Sequence, residues 1–173
     1  MISDLSLTLR AILTQPGLPR ELAAAQIVFD RPSESFNPTQ TAVDLFLYEI
    51  RENRDFSEAP AGTGPSARPI AFTYLVTAWP VGGPELALQE QQLLSNVLQV
   101  LLAHPTITKS FLHGSLASHE PAPQILVMHP DALKNTAEFW TSLGGKLRPS
   151  LSVTVTVNVP PFEGEAVPSN GRS

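Results

Sequence analysis

The four histidines, His104, His113, His119 and His129, are the side chains best suited to hold a metal or move a proton near neutral pH. His113 and His119-Glu120 lie closest together. Their spacing matches neither the i, i+4 pair that puts two imidazoles on one helix face nor a zinc signature, so they read as loop histidines. His104 and His129 each precede a proline, as residues at element boundaries do. His113-Gly114-Ser115 lacks the second glycine and the strand-to-helix turn of a nucleophile elbow. Gly144-Gly145-Lys146 follows a helical segment, whereas a phosphate loop sets its glycines ahead of one. Asp44 and Glu49 are the carboxylates of the two most apolar segments, and neither has an evident acidic neighbour with which to divide acid and base roles. Asp44 is the polar oddity of its segment, expected at a strand edge or as a partnered core carboxylate. Trp79, Trp140, Tyr48 and Tyr74 sit on apolar faces and read as core, not as a stacking platform for sugars or bases. No catalytic, cofactor-binding or metal-ligating residue is assigned, and the chain reads as non-enzymatic.

Composition narrows the classes further. A chain of 173 residues, 42% hydrophobic and 16% charged, can bury one core, and a single domain over 1–160 with a flexible tail over 161–173 is expected. A net charge of -5 offers no excess of cations to a phosphate backbone, so nucleic acid is not an expected partner. The absence of cysteine rules out disulfides and thiolate chemistry and suits the cytoplasm. The first fifteen residues are amphipathic and carry Asp4, unlike a secretory signal. No apolar run is long enough to span a bilayer. Seventeen prolines are roughly twice the usual share, which predicts long, stiffened connections on a contact-making surface.

Periodicity supplies the elements. Ile2, Leu5, Leu9, Ile12 and Leu13 predict an amphipathic helix behind a Ser3 N-cap, stopped by Pro16-Gly17. A short strand follows over Gln26–Asp30. Thr41–Arg51 and Ile70–Trp79 are apolar on both parities, as strands inside a sheet covered on both sides are. The aperiodic Asn53–Arg68 between them reads as a mobile loop. Leu86, Leu93, Leu94, Val97, Leu98, Leu101 and Leu102 line a long helix over Pro84–His104, with Pro84 in its first turn. Gln124–Met128 is another short strand, and Asp131–Leu143 a third helix whose Leu133, Ala137, Trp140 and Leu143 face inward before Gly144-Gly145. Leu151, Val153, Val155, Val157 and Val159 alternate with Ser152, Thr154, Thr156 and Asn158, predicting a final strand buried on one side. Together these give an α+β fold: one mixed or antiparallel sheet of about five strands, with about three helices mainly on one face.

Four segments, in order, resemble a family of cap proteins from extracellular contractile injection systems, phage-tail-like particles that drive a tube through a sheath. They are Leu45–Asn53 with its Arg51-Glu52-Asn53 turn, Pro69–Trp79 with Tyr74-Leu75 and Thr77, Glu90–Leu94 continuing through Leu98 and Leu101 to His104-Pro105, and Glu138-Phe139-Trp140 followed by Leu147-Arg148-Pro149-Ser150 and the alternating strand. The sequence departs from the family after its first segment, where Arg54-Asp55-Phe56 runs into a neutral stretch rich in Ala, Gly and Pro. The resemblance implies a tail-terminator-like fold, assembled in the cytoplasm as a hexameric ring. That ring would sit on the last sheath and inner-tube subunits, distal to the baseplate, in a particle that is released or stays inside the cell. Leu151, Val153, Val155, Val157 and Val159, expected near a sheet edge, together with Phe162 onward, are the candidate partner-binding residues. A sheath or tube-associated protomer, or a small enzyme without a visible motif, are the alternatives.

Overall fold

The computed structural model describes residues 1–53, 67–129 and 135–161. In chain order the elements are α1 (Ile2–Leu13), α2 (Arg20–Ala23), β1 (Gln26–Val28), β2 (Ala42–Glu52), β3 (Arg68–Trp79), α3 (Leu86–Leu102), β4 (Gln124–Val127), α4 (Thr136–Leu143) and β5 (Leu151–Val159), with 3-10 turns at Lys109–Phe111 and Gly114–Leu116. The strands form one five-stranded sheet in the order β1-β2-β3-β5-β4. β1 runs parallel to β2, and the other pairs are antiparallel. This is the expected α+β architecture.

β2 and β3 form the long central ladder from Ala42↔Trp79 to Glu52↔Ile70, interrupted by a bulge between Leu47 and Glu49. The extra residue there is Tyr48, and beyond it Glu49–Glu52 lie exposed while the strand's first four residues are buried. One parity of the sheet carries Val43, Leu45, Phe72, Tyr74, Val76, Val153 and Val155 into a core completed by Leu5, Leu9 and Ile12 of α1 and Leu93, Val97 and Leu101 of α3. Tyr74 reaches α1, its hydroxyl 3.0 Å from Ser6 Oγ. α4 meets the sheet at the bulge, with the ring of Phe139 edge-on to Tyr48 at 5.0 Å.

Several expectations need correction. β5 is buried on both parities, Ser152, Thr154, Thr156 and Asn158 as well as the valines. Hydroxyls and amides tolerate this burial where they pair locally: Thr73 Oγ1 lies 3.2 Å from Thr154 Oγ1, and Asn53 Nδ2 donates to Thr156 Oγ1 at 3.0 Å. β5 lies one strand in from the sheet edge, beside the edge strand β4. Val153–Thr156 pair with β3 on one side and β4 on the other. The first helix begins at Ile2, so Ser3 lies inside it and does not cap it. Pro84 precedes α3, which starts at Leu86 after a left-handed Glu85 (φ 52°). Of the third predicted helix, Thr136–Leu143 is helical behind an Asn135 cap whose side chain accepts from Glu138 N, and 131–134 lie outside the described residues. Its predicted inward Leu133 lies outside the described residues, Ala137 is exposed, and Trp140 is buried. The predicted loop is described at Asn53 and from Ala67 on, with 54–66 outside the described residues.

Leu9 is fully buried between α1 and the sheet. Leu9→Ala should lower unfolding free energy by about 2–5 kcal/mol, read as a reduced midpoint at unchanged slope in a denaturant titration.

Candidate functional site

The residues with chemical potential do not converge. Among the described residues, no group of three or more His, Asp or Glu side chains is placed to hold a metal ion. His104 closes α3, with Nδ1 2.8 Å from Val100 O and its ring edge-on to Phe111. His113 uses its backbone N–H, which donates to Thr8 Oγ1 at 3.1 Å. Burial lowers the pKa of His119, and Glu120 forms an ion pair with Lys109 at 2.6 Å instead of joining a histidine. Ser115 donates its hydroxyl and its backbone N–H to Asp4 Oδ2, at 2.7 and 3.1 Å. That hydroxyl bond is the first cause of an Asp4 pKa lowered to about 2. Gly114 is left-handed (φ +53°), and a Cβ there would meet the Asp4 carboxylate at 2.5 Å. His113-Gly114-Ser115 is therefore the receptor for a helix-1 carboxylate. Sequence spacing could not reveal this pairing, because the partners stand 111 residues apart.

A second cluster was legible only as part of the Leu147–Ser150 motif. The Arg148 guanidinium stacks on the Trp79 ring at 3.6 Å. It donates through Nε to Glu90 Oε1 at 2.8 Å, and through Nη2 to Glu90 Oε1 at 2.7 Å and Ala78 O at 3.0 Å. Trp79 in turn meets Phe36 edge-on at 4.8 Å and donates from Nε1 to Thr77 Oγ1 at 2.8 Å. One arginine thus ties the end of β3, the start of α3 and the approach to β5. Trp79 is half-buried, a clasp component instead of the core residue its apolar strand predicts, whereas Trp140 and Tyr74 are core.

Asp44 is neither at a strand edge nor fully partnered. It is 0% exposed within β2, between Val28 of β1 and Thr77 of β3. Its Oδ1 accepts the Asp30 N–H at 2.8 Å, and its buried Oδ2 has no hydrogen-bond partner among the described residues. Burial is the main cause that pushes its pKa up to about 7, with a smaller contribution from Asp30 against the lowering effect of that single hydrogen bond.

Of the candidate partner-binding residues, Leu151, Val153, Val155 and Val157 point into the core. Val159 is half-buried at the strand's end, and Phe162 lies outside the described residues. The pairing with β4 reaches Thr156, opposite Gln124, so Val157–Val159 run past it. Exposed apolar side chains lie at Met1, at Ile2 and Leu7 of α1, at Ile50, Leu102 and Leu147, at Leu126 and Met128 on and after the edge strand β4, and at Val81, Leu86 and Leu88 around the start of α3. There a groove of about 460 Å³ runs between α2 and α3, lined by Ala24, Thr41, Leu88 and Leu93 with Glu21, Gln89 and Gln92 at its rim. Such surfaces suit protein contact.

The sequence matches the Pvc16 N-terminal domain family over residues 4–172. Two solved structures are similar over 100% of this chain. One is the PVC sheath/tube terminator of an extracellular contractile injection system in its extended state, with a TM-score of 0.68 and 27% identity, 62% of that chain being covered. The other is the anti-feeding prophage cap, the AFP tube terminating cap, with a TM-score of 0.65 and 25% identity, 60% of that chain being covered. The present chain thus spans about three-fifths of the length of these solved chains. No curated protein matches it.

Arg148→Ala should cost about 2–3 kcal/mol, because it strands a largely buried Glu90 and uncovers Trp79; a red shift of tryptophan emission in the folded state checks the second effect. For Asp44 the raised pKa sets the sign. The neutral acid's advantage is complete below the ordinary carboxylate range and is lost as pH climbs to about 7. Wild-type stability relative to Asp44→Asn should therefore fall between those limits, by on the order of 4 kcal/mol at most, measured by denaturant midpoints across pH.

Proposed function

Because this chain belongs to the Pvc16 N-terminal domain family, we propose that it caps a contractile injection particle, terminating the inner tube and sheath at the end distal to the baseplate. The observation that carries this reading is likeness along the whole chain to two tube or sheath terminators, at 27% and 25% identity. The subunit works by surface complementarity, without chemical turnover, and assembles as a homo-hexameric ring. A polymer of stacked rings offers the same receiving surface at every layer, so its terminator must fit that surface and offer no copy of it onward. The exposed apolar groups at the start of α3 and along β4 are available for such contacts. The end of β5, at Val159, with Phe162 and the residues after it, reaches the neighbouring subunit. Assembly takes place in the cytoplasm, before the particle acts outside the cell.

Native mass spectrometry of the purified protein should give a closed hexamer; open-ended filaments would instead favour a sheath or tube protomer. Particles assembled without the chain should show tubes and sheaths of irregular length by electron microscopy. Particles assembled with a chain ending at residue 161 should be of regular length but lose caps on dilution. Uniform, intact particles in the chain's absence would overturn the capping role, and firmly held truncated caps would overturn only the role of Phe162 onward.

A further inference from the structure

An ionised carboxylate sealed from water is tolerable when two or three donors or a cation face it. Asp44 has one donor, the backbone N–H of Asp30, and its second oxygen faces no partner among the described residues. The charged groups around it do not compensate. Asp30, on the segment leaving β1, adds like charge. The neighbouring Arg31 guanidinium is spread over the Phe46 ring, 5.9 Å from its centroid. From β3, the residue opposite is Thr77, whose hydroxyl accepts from Trp79 and is not a hydrogen-bond partner of the buried Asp44 Oδ2. No ion pair among the described residues includes Asp44.

The two flanks of Asp44 are unequal. On one side β3 is held along its length by both β2 and β5. On the other, β1 is a three-residue edge strand paired with β2 alone. The chain after it is fixed by the Asp30 N–H to Asp44, by Glu34 N–H to Gly144 O at 2.9 Å, and by Phe36 against Trp79. If water must reach Asp44, the weaker side is the one that yields.

We propose that Asp44 is a proton-operated latch: as the neutral acid it holds β1 and the 30–36 segment closed over β2, and loss of its proton opens that edge. The closed state binds the proton more tightly than the open, hydrated state, so opening is linked to proton release. The opening constant then rises up to about tenfold per pH unit while the closed form remains protonated, and levels off once the closed form itself ionises. Opening bares the backbone of Ala42–Asp44, which β1 otherwise covers, to a further strand. The inference stands on the geometry of this edge and does not depend on the capping role.

Amide hydrogen exchange of the full chain, followed from about pH 5 to 8 and corrected for the intrinsic pH dependence of exchange, tests the latch. The opening constant for residues 26–36 should rise by at least about tenfold from pH 5 to 7 in the wild type, exceed that of β3 at every pH, and stay flat in Asp44→Asn. A flat wild-type profile, the same slope in the variant, or an opening constant for residues 26–36 no larger than that of β3 would overturn it. Carbon-13 titration of the Asp44 carboxyl in the wild type needs no variant: titration in the normal aspartate range overturns the proposal, and titration near neutrality supports it.

Discussion

β3 is hydrogen-bonded to a neighbour on both sides and buried on both faces along most of its length. That double enclosure is the constraint on which the rest of the molecule depends. A strand in this position has no solvated side to absorb a shift of register, because slipping by one residue would exchange Phe72, Tyr74 and Val76 with Ala71, Thr73, Leu75 and Thr77. The two faces are chemically distinct, so such an exchange would place hydroxyls against α1 and α3 and bulky aromatics against the Thr and Ser side chains of β5. The register thereby fixes where α1, α3 and β5 sit.

The polar face of the sheet follows from the same constraint. Thr73, Thr77, Ser152, Thr154 and Thr156 are short enough to pack closely, and they can satisfy one another or the backbone without admitting water. Asp44 lies on that face, where its neighbours supply too few donors for a charge. Its raised pKa is thus a consequence of sheet architecture. The Arg148 clasp solves a different problem, holding three chain segments where β3 ends and the ladder stops supplying backbone partners.

These features accord with the proposed capping role, whose contacts lie on the surface. The described interior is committed to packing, while exposed apolar side chains lie on and after the edge strand β4, around the start of α3, on α1 and at Ile50, Leu102 and Leu147. Under the proposed capping role, the enclosed sheet would be the rigid frame that presents such surfaces.

The sequence by itself determined the elements whose patterns are local: α1 and α3 from their apolar stripes, β2 and β3 from apolar runs on both parities, and the end of α4 from Gly144, which takes the left-handed C-cap conformation. The four spaced segments were also enough to bring the capping family into view. What only the tertiary structure decided was whatever depends on residues far apart in the chain. The strict alternation of β5 predicts a solvated face, but periodicity records only that two faces differ, and the packing of the sheet is what buried the polar one. Asp4 found Ser115, Arg148 found Glu90 and Trp79, and Asp44 lost its water to β1 and β3. No local rule carries these outcomes, because the partner of a buried polar group is chosen by the register of strands that meet only when the chain has folded.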